Sequence, residues 1–154
     1  MYDEQGRVLS QSVPKENGVS SDLTTYQYDK LGRVVSESGP TGTKTISYDY
    51  NRVAQTDESG FKRTKTTNYL GLLAKVTERS SANELLNIIG YRYSANGDLI
   101  TTKLFNGENF SHIQVQNEYD DFGRKISTDD RDKGKWTYSY NAFGELVSQT
   151  NSDN

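Results

Sequence analysis

The sequence predicts an all-β protein, an array of about seven β-hairpins forming a curved antiparallel sheet. Three observations point there. Leu, Ile, Val and Phe make up only 31 of 154 residues, near the level at which composition indicates disorder. Net charge is nevertheless small at −3, and 11 Tyr with many Thr favour pleated, half-buried surfaces. A phrase built on tyrosine, aspartate and glycine also returns along the whole chain, the mark of a stacked or meandering array.

Aligned on its first residue, the phrase reads YDEQGRV from Tyr2, YDKLGRV from Tyr28, YDYNRV from Tyr48, TNYLGLL from Thr67, YSANGDL from Tyr93, YDDFGRK from Tyr119 and YNAFGEL from Tyr140. Before the bend, residues alternate: Thr24, Tyr26 and Tyr28 face one way, Thr25, Gln27 and Asp29 the other. Asp-x-x-Gly then suits a type I turn, in which Asp bonds the backbone ahead and Gly takes the positive-φ position that opens a bulge. The predicted turn residues are Asp3 and Gly6, Asp29 and Gly32, Asn68 and Gly71, Gly97, Asp120 and Gly123, and Asn141 and Gly144. The Tyr48 copy lacks the Gly and is one residue short, so a different turn is expected there.

Leu31, Leu70, Phe122 and Phe143 precede the glycine in four copies. They are expected to form a ridge where neighbouring turns touch. After the bend, Val8-Leu9, Val34-Val35, Leu73-Ala74, Leu99-Ile100 and Leu146-Val147, with Ile126 after Lys125, place apolar groups on both faces, so cover on both sides is expected. The links at 14–22, 38–43, 80–84 and 129–135 read as loops and hold Pro14 and Pro40. ANELLNII at 82–89 is the one helix candidate, and it reads equally as the start of a strand. No domain boundary is visible, and residues 1–154 read as a single segment.

The composition also excludes. A charge of −3 lacks the basic excess of a nucleic-acid binder. There is no cysteine for disulfides or thiolate sites, and the apolar run LGLLA at 70–74 is too short to span a membrane. MYDEQG has neither a basic leader nor an apolar stretch, and Tyr2-Asp3 already belongs to a repeat; the chain is expected to be a piece of a longer protein.

Catalytic and cofactor motifs are sparse. His112 is the one histidine, which leaves no multi-His metal centre and makes any triad rest on it alone. Neither GxxxxGK[ST] nor GxGxxG occurs. Asp129, Asp130 and Asp132 resemble a calcium loop, but the twelfth position is Tyr140 and Arg131 and Lys133 oppose a cation, so a solvated turn is expected. Asn109-Phe110-Ser111 is a single sequon match. Among 21 acids no pair stands in an apolar setting that would raise one pKa. No enzyme activity, metal or cofactor is expected. Tyr26 with Tyr28, Tyr91 with Tyr93, and Trp136 with Tyr138 and Tyr140 each share a strand face. Such a stripe could stack on cell-surface glycans, with packing against cross-strand neighbours as the plainer reading.

Tyr-Asp-x-x-Gly-Arg-[Val/Leu] at this spacing resembles the YD repeats of the Rhs family, found in bacterial polymorphic toxins, insecticidal toxin complexes and animal teneurins. YDEQGRV, YDKLGRV and YDDFGRK fit closely. The resemblance implies a β-ribbon spiralling into a hollow shell that, in bacteria, encloses a toxin domain. It implies a non-enzymatic wall segment of a secreted or cell-surface protein, its partners the rest of the shell and the enclosed polypeptide. The self-cleaving motif Asp-Pro-x-Gly is not carried over, since neither proline follows an aspartate. Open sheet edges would also invite self-association.

Overall fold

A computed structural model describes residues 1–15, 18–105 and 111–152. All regular structure in it is strand. The order along the chain is β1 (Ser10–Lys15), β2 (Gly18–Tyr28), β3 (Val34–Gly39), β4 (Gly42–Asp49), β5 (Arg52–Thr56), β6 (Lys62–Thr67), β7 (Leu73–Arg79), β8 (Leu85–Tyr93), β9 (Leu99–Phe105), β10 (Ser111–Tyr119), β11 (Lys125–Asp130), β12 (Gly134–Tyr140) and β13 (Leu146–Asn151). The 13 strands form one sheet in sequential order. By contacts the chain divides into two compact units, Met1–Lys65 with Glu78–Leu85, and Thr66–Thr77 with Leu86–Asn154.

In a meander every second turn lies on the same edge. In the first unit the phrase turns at 3–7, 29–33 and 50–51 therefore share an edge, as do those at 68–72, 94–98, 120–124 and 141–145 in the second. Register slips by one residue as a strand runs into a full phrase turn, between Gln27 and Tyr28, Arg92 and Tyr93, Glu118 and Tyr119, and Ser139 and Tyr140. That slip is the bulge opened by a positive-φ residue. The short Tyr48 copy has none: Asp49 pairs directly with Arg52, and Tyr50 takes φ 42 at the tip.

Several links are tighter than their composition indicates. Residues 14–15 and 18–22 are strand, with Pro14 inside β1 beside a register irregularity. Pro40 and Thr41 alone connect β3 to β4. ANELLNII holds no helix: a turn closes at 80–84 and Leu85 begins β8. Its apolar run is instead extended, with Leu85, Ile88 and Ile89 half-buried and Leu86 exposed.

The sheet carries no second layer among the described residues. Val76 is the one buried apolar residue among them; Thr101, Asn117 and Ser127 are buried polar ones. Asn117 is satisfied on both atoms, donating to Leu99 O (2.9 Å) and accepting from Thr128 Oγ1 (2.9 Å). Ser127 donates to Glu118 Oε2 (2.9 Å). The apolar pairs after the bends are half-buried through β9, whereas Ile126, Leu146 and Val147 are exposed. The cover expected on both faces is thus not supplied by these strands.

Candidate functional site

The repeated phrase is the most elaborated feature of the molecule, and its geometry begins at the aspartate. Asp29 Oδ1 accepts from the N–H groups of Leu31 (2.9 Å) and Arg33 (2.9 Å), and Oδ2 accepts from Arg33 Nε (2.7 Å). Gly32 N–H closes the turn on Asp29 O (3.0 Å), at φ 76. One carboxylate therefore saturates the donors of a type I turn and its bulge. Asp3 with Gly6 and Asp120 with Gly123 repeat the arrangement. Asn68 and Asn141 supply the same oxygen through their amides, before Gly71 and Gly144. Before Gly97 the role falls to Ser94 Oγ.

These contacts set the carboxylate electrostatics. The Arg7 and Arg33 N–H groups are the main cause holding Asp3 and Asp29 below the ordinary value of 3.8. At Asp120 desolvation pulls upward, but hydrogen bonds from the Arg124 N–H and guanidinium outweigh it.

A second set of contacts ties five of the phrases to the one before. Tyr28 Oη donates to Val8 O (2.7 Å), Tyr48 to Val34 O (3.2 Å), Tyr93 to Leu73 O (2.8 Å), Tyr119 to Leu99 O (3.0 Å) and Tyr140 to Lys125 O (2.8 Å). Each acceptor is the residue two past the preceding glycine or, for Tyr48, past Gly32. The arginine of one phrase also lies over the next tyrosine: Arg7 over Tyr28 (4.5 Å), Arg33 over Tyr48 (4.1 Å) and Arg124 over Tyr140 (4.9 Å). Each guanidinium thus neutralises its own aspartate and stacks on its neighbour's ring. In the fourth phrase Thr67 replaces the tyrosine and Leu72 the arginine. Burial and the Asp98 charge together raise the Tyr119 phenol above its usual value.

The aromatic stripe is divided by these contacts. Tyr28, Tyr93 and Tyr140 have their hydroxyls tied to backbone, and Tyr26 Oη accepts from Gln11 Nε2 (2.9 Å). Trp136 Nε1 donates to Lys133 O (3.3 Å). Tyr91 stands opposite Thr102 and Tyr138 opposite Gln149, whereas Tyr28, Tyr93 and Tyr140 stand opposite the apolar Val34, Leu99 and Leu146.

The tip residues do not pack together. Leu31 is 77% exposed, Phe122 85% and Phe143 91%, although the last two flank a cleft of about 440 Å³ with Arg124 and Ala142. Turns touch on the other edge instead. A Cβ on Gly42 would lie 2.8 Å from Glu58 Cβ, and one on Gly60 would lie 2.9 Å from Ser81 Cβ. Gly60 belongs to Asp57-Glu58-Ser59-Gly60, a turn of the same kind that sequence reasoning missed, with Asp57 Oδ1 accepting from Ser59 N (3.0 Å) and Phe61 N (2.9 Å). Its Asp-x-x-Gly spacing was the available signal, but it lacks the leading tyrosine.

His112 is exposed, opposite Leu104. Asp130 caps its own turn, accepting from Asp132 N (2.9 Å) and Lys133 N (3.2 Å). Among the described residues no three His, Cys, Asp or Glu side chains gather into a metal-binding group. The sequon at 109–111 begins outside the described residues.

The RHS Repeat family model matches residues 2–44 and 119–154, leaving out the three irregular phrases that start at Tyr48, Thr67 and Tyr93. The fold is similar to the crystal structure of TcdB2-TccC3-Cdc42, with TM-score 0.67 and 18% identity over 96% of this chain and 9% of that one. It is also similar to the Photorhabdus luminescens Tc holotoxin pore, with TM-score 0.67 and 13% identity over 84% of this chain and 7% of the other. The chain therefore spans less than a tenth of either relative. No curated protein matches it by sequence.

Proposed function

This chain belongs to the RHS repeat family, and on that premise we propose that it is a non-enzymatic structural segment of a repeat-built shell that encloses and shields a toxin or other partner polypeptide. The observation that carries this reading is the joint between phrases. In the phrases from Tyr28 and Tyr119 the tyrosine, aspartate, glycine and arginine are all occupied in shaping a turn or binding a neighbouring phrase, which is the work of a wall. The half-buried faces support the same reading, because a sheet one layer thick gains apolar cover from what lies against it. The parent would be a bacterial secreted or cell-surface protein.

Limited proteolysis of the parent protein, with fragments identified by mass, tests the proposal. A non-repeat polypeptide that survives within resistant repeats and is cut only after denaturation supports enclosure. Digestion of every non-repeat segment at the rate of the unfolded chain contradicts it. A glycan-binding reading draws on Tyr91 and Tyr138, whose hydroxyls bond no described residue. Saturable glycan binding lost in Tyr138→Ala and Trp136→Ala would favour it over the shell.

A further inference from the structure

Gly90 lies in the middle of β8 with no positive φ. Glycine there weakens a strand, and such a residue commonly marks a close approach by a ligand or another chain. Its backbone does not require glycine. Internal packing does not require it either, since a Cβ at this position would meet Phe105 Cε2 at 3.6 Å, an ordinary contact. The missing side chain leaves a depression of about 140 Å³, lined by Ala74, Gly90, Arg92, Thr101, Lys103 and Phe105 with Tyr91.

Register explains how the lining assembles. Arg92 pairs with Thr101, Gly90 with Lys103 and Ile88 with Phe105, so these side chains share the face opposite Tyr91 and Tyr93. Arg92 and Lys103 form no ion pair with any described residue. Two cations with no ionic partner among the described residues thus flank a dip the size of one side chain, with a phenyl ring along its wall. A carboxylate on a short apolar stem fits that setting: the guanidinium offers a forked pair of donors, Lys103 a point charge, and the ring a surface for methylenes.

We propose that this depression is a docking site for an acidic side chain, glutamate or aspartate, of a partner polypeptide laid across this face. The proposal deepens the wall reading by naming the chemistry the wall would hold, but its test uses the 154-residue chain and does not depend on enclosure. The probe is a capped hexapeptide of alternating glutamate and alanine, with the glutamine counterpart as control, titrated while backbone amide shifts are followed. The glutamate peptide is expected to shift the amides of 88–92 and 101–105 saturably, with at least tenfold weaker binding of the glutamine peptide and of either peptide to Arg92→Ala. Raised salt should weaken the interaction. Gly90→Ala is the decisive variant: it should leave melting unchanged or higher while weakening the glutamate peptide severalfold.

Equal binding of the two peptides, or shifts confined to other strands, overturns the site. A Gly90→Ala chain that melts lower and binds as before shows that the glycine serves the sheet alone, which also overturns it. Free glutarate binding as tightly as the peptide overturns the polypeptide as the occupant. Failure of enclosure in the parent would leave each of these outcomes unaltered.

Discussion

Gly32 sits at φ 76, and a Cβ there would meet only Arg7 Nη1, at 3.5 Å. Space is available, so what the turn demands is backbone conformation. Gly32→Val forces a β-branched residue into the left-handed region, at a cost of roughly 1–3 kcal/mol. Denaturant unfolding should show a midpoint lowered accordingly; an unchanged midpoint would mean the turn does not need that conformation. The aspartates give a pH dependence. Their pKa values are lowered in the folded turns, so their contribution is complete above the ordinary value of 3.8 and is lost as pH falls below it. Amide shifts of Leu31 and Arg33 should titrate with a midpoint under 3.8, whereas those of Leu70 and Leu72, held by the Asn68 amide, should not. Matching titrations at both turns would contradict carboxylate control.

At the scale of the element, the two sheet edges differ in what a substitution meets. Gly60→Ala meets both a positive φ of 86 and Ser81 Cβ at 2.9 Å, whereas Gly123→Ala meets a positive φ of 76 but no atom within 4 Å. Gly60→Ala should therefore lower the melting temperature more, and equal shifts would show that the turns at 57–61 and 80–84 do not pack. The phrase turns were legible because Asp-x-x-Gly is local chemistry, complete within five residues. Asp57-x-x-Gly60 obeyed the same rule and was hidden only by its missing tyrosine. ANELLNII was not legible, because a short apolar run has no period that separates helix from strand. The tyrosine bonds were not legible either. Tyr28 reaches a carbonyl 20 residues back and Tyr48 one 14 back, and only the strand register brings both to the same place.

For the whole molecule, Val76 is the one buried apolar residue among those described, and the tips at Phe122 and Phe143 are exposed. The isolated chain is therefore expected to self-associate with rising concentration. Light scattering should show that mass growth, reduced in Phe122→Ser with Phe143→Ser; a strict monomer at the highest concentration would contradict it. Pairs such as Val34-Val35 and Leu73-Ala74 read in the sequence as wanting cover on both faces, but they remain half-buried here, and patterning alone could not say what would cover them. Cohesion along the array comes from the strand ladders, and the joints between phrases add to it. Each tyrosine bond contributes about 1 kcal/mol, as a hydrogen bond to a backbone carbonyl does.

Hydrogen exchange on Tyr28→Phe and Tyr119→Phe, with Tyr2→Phe as the control, is the measurement to make. Tyr2 is 68% exposed and bonds no described residue through its hydroxyl. Loss of the Tyr28 oxygen should speed exchange at the Tyr26 amide, which donates to Leu9 O beside the freed Val8 carbonyl, and around the 3–7 turn, while Tyr2→Phe changes nothing. If all three variants exchange like the parent chain, the tyrosines are surface side chains and the repeated phrase does not join one hairpin to the next.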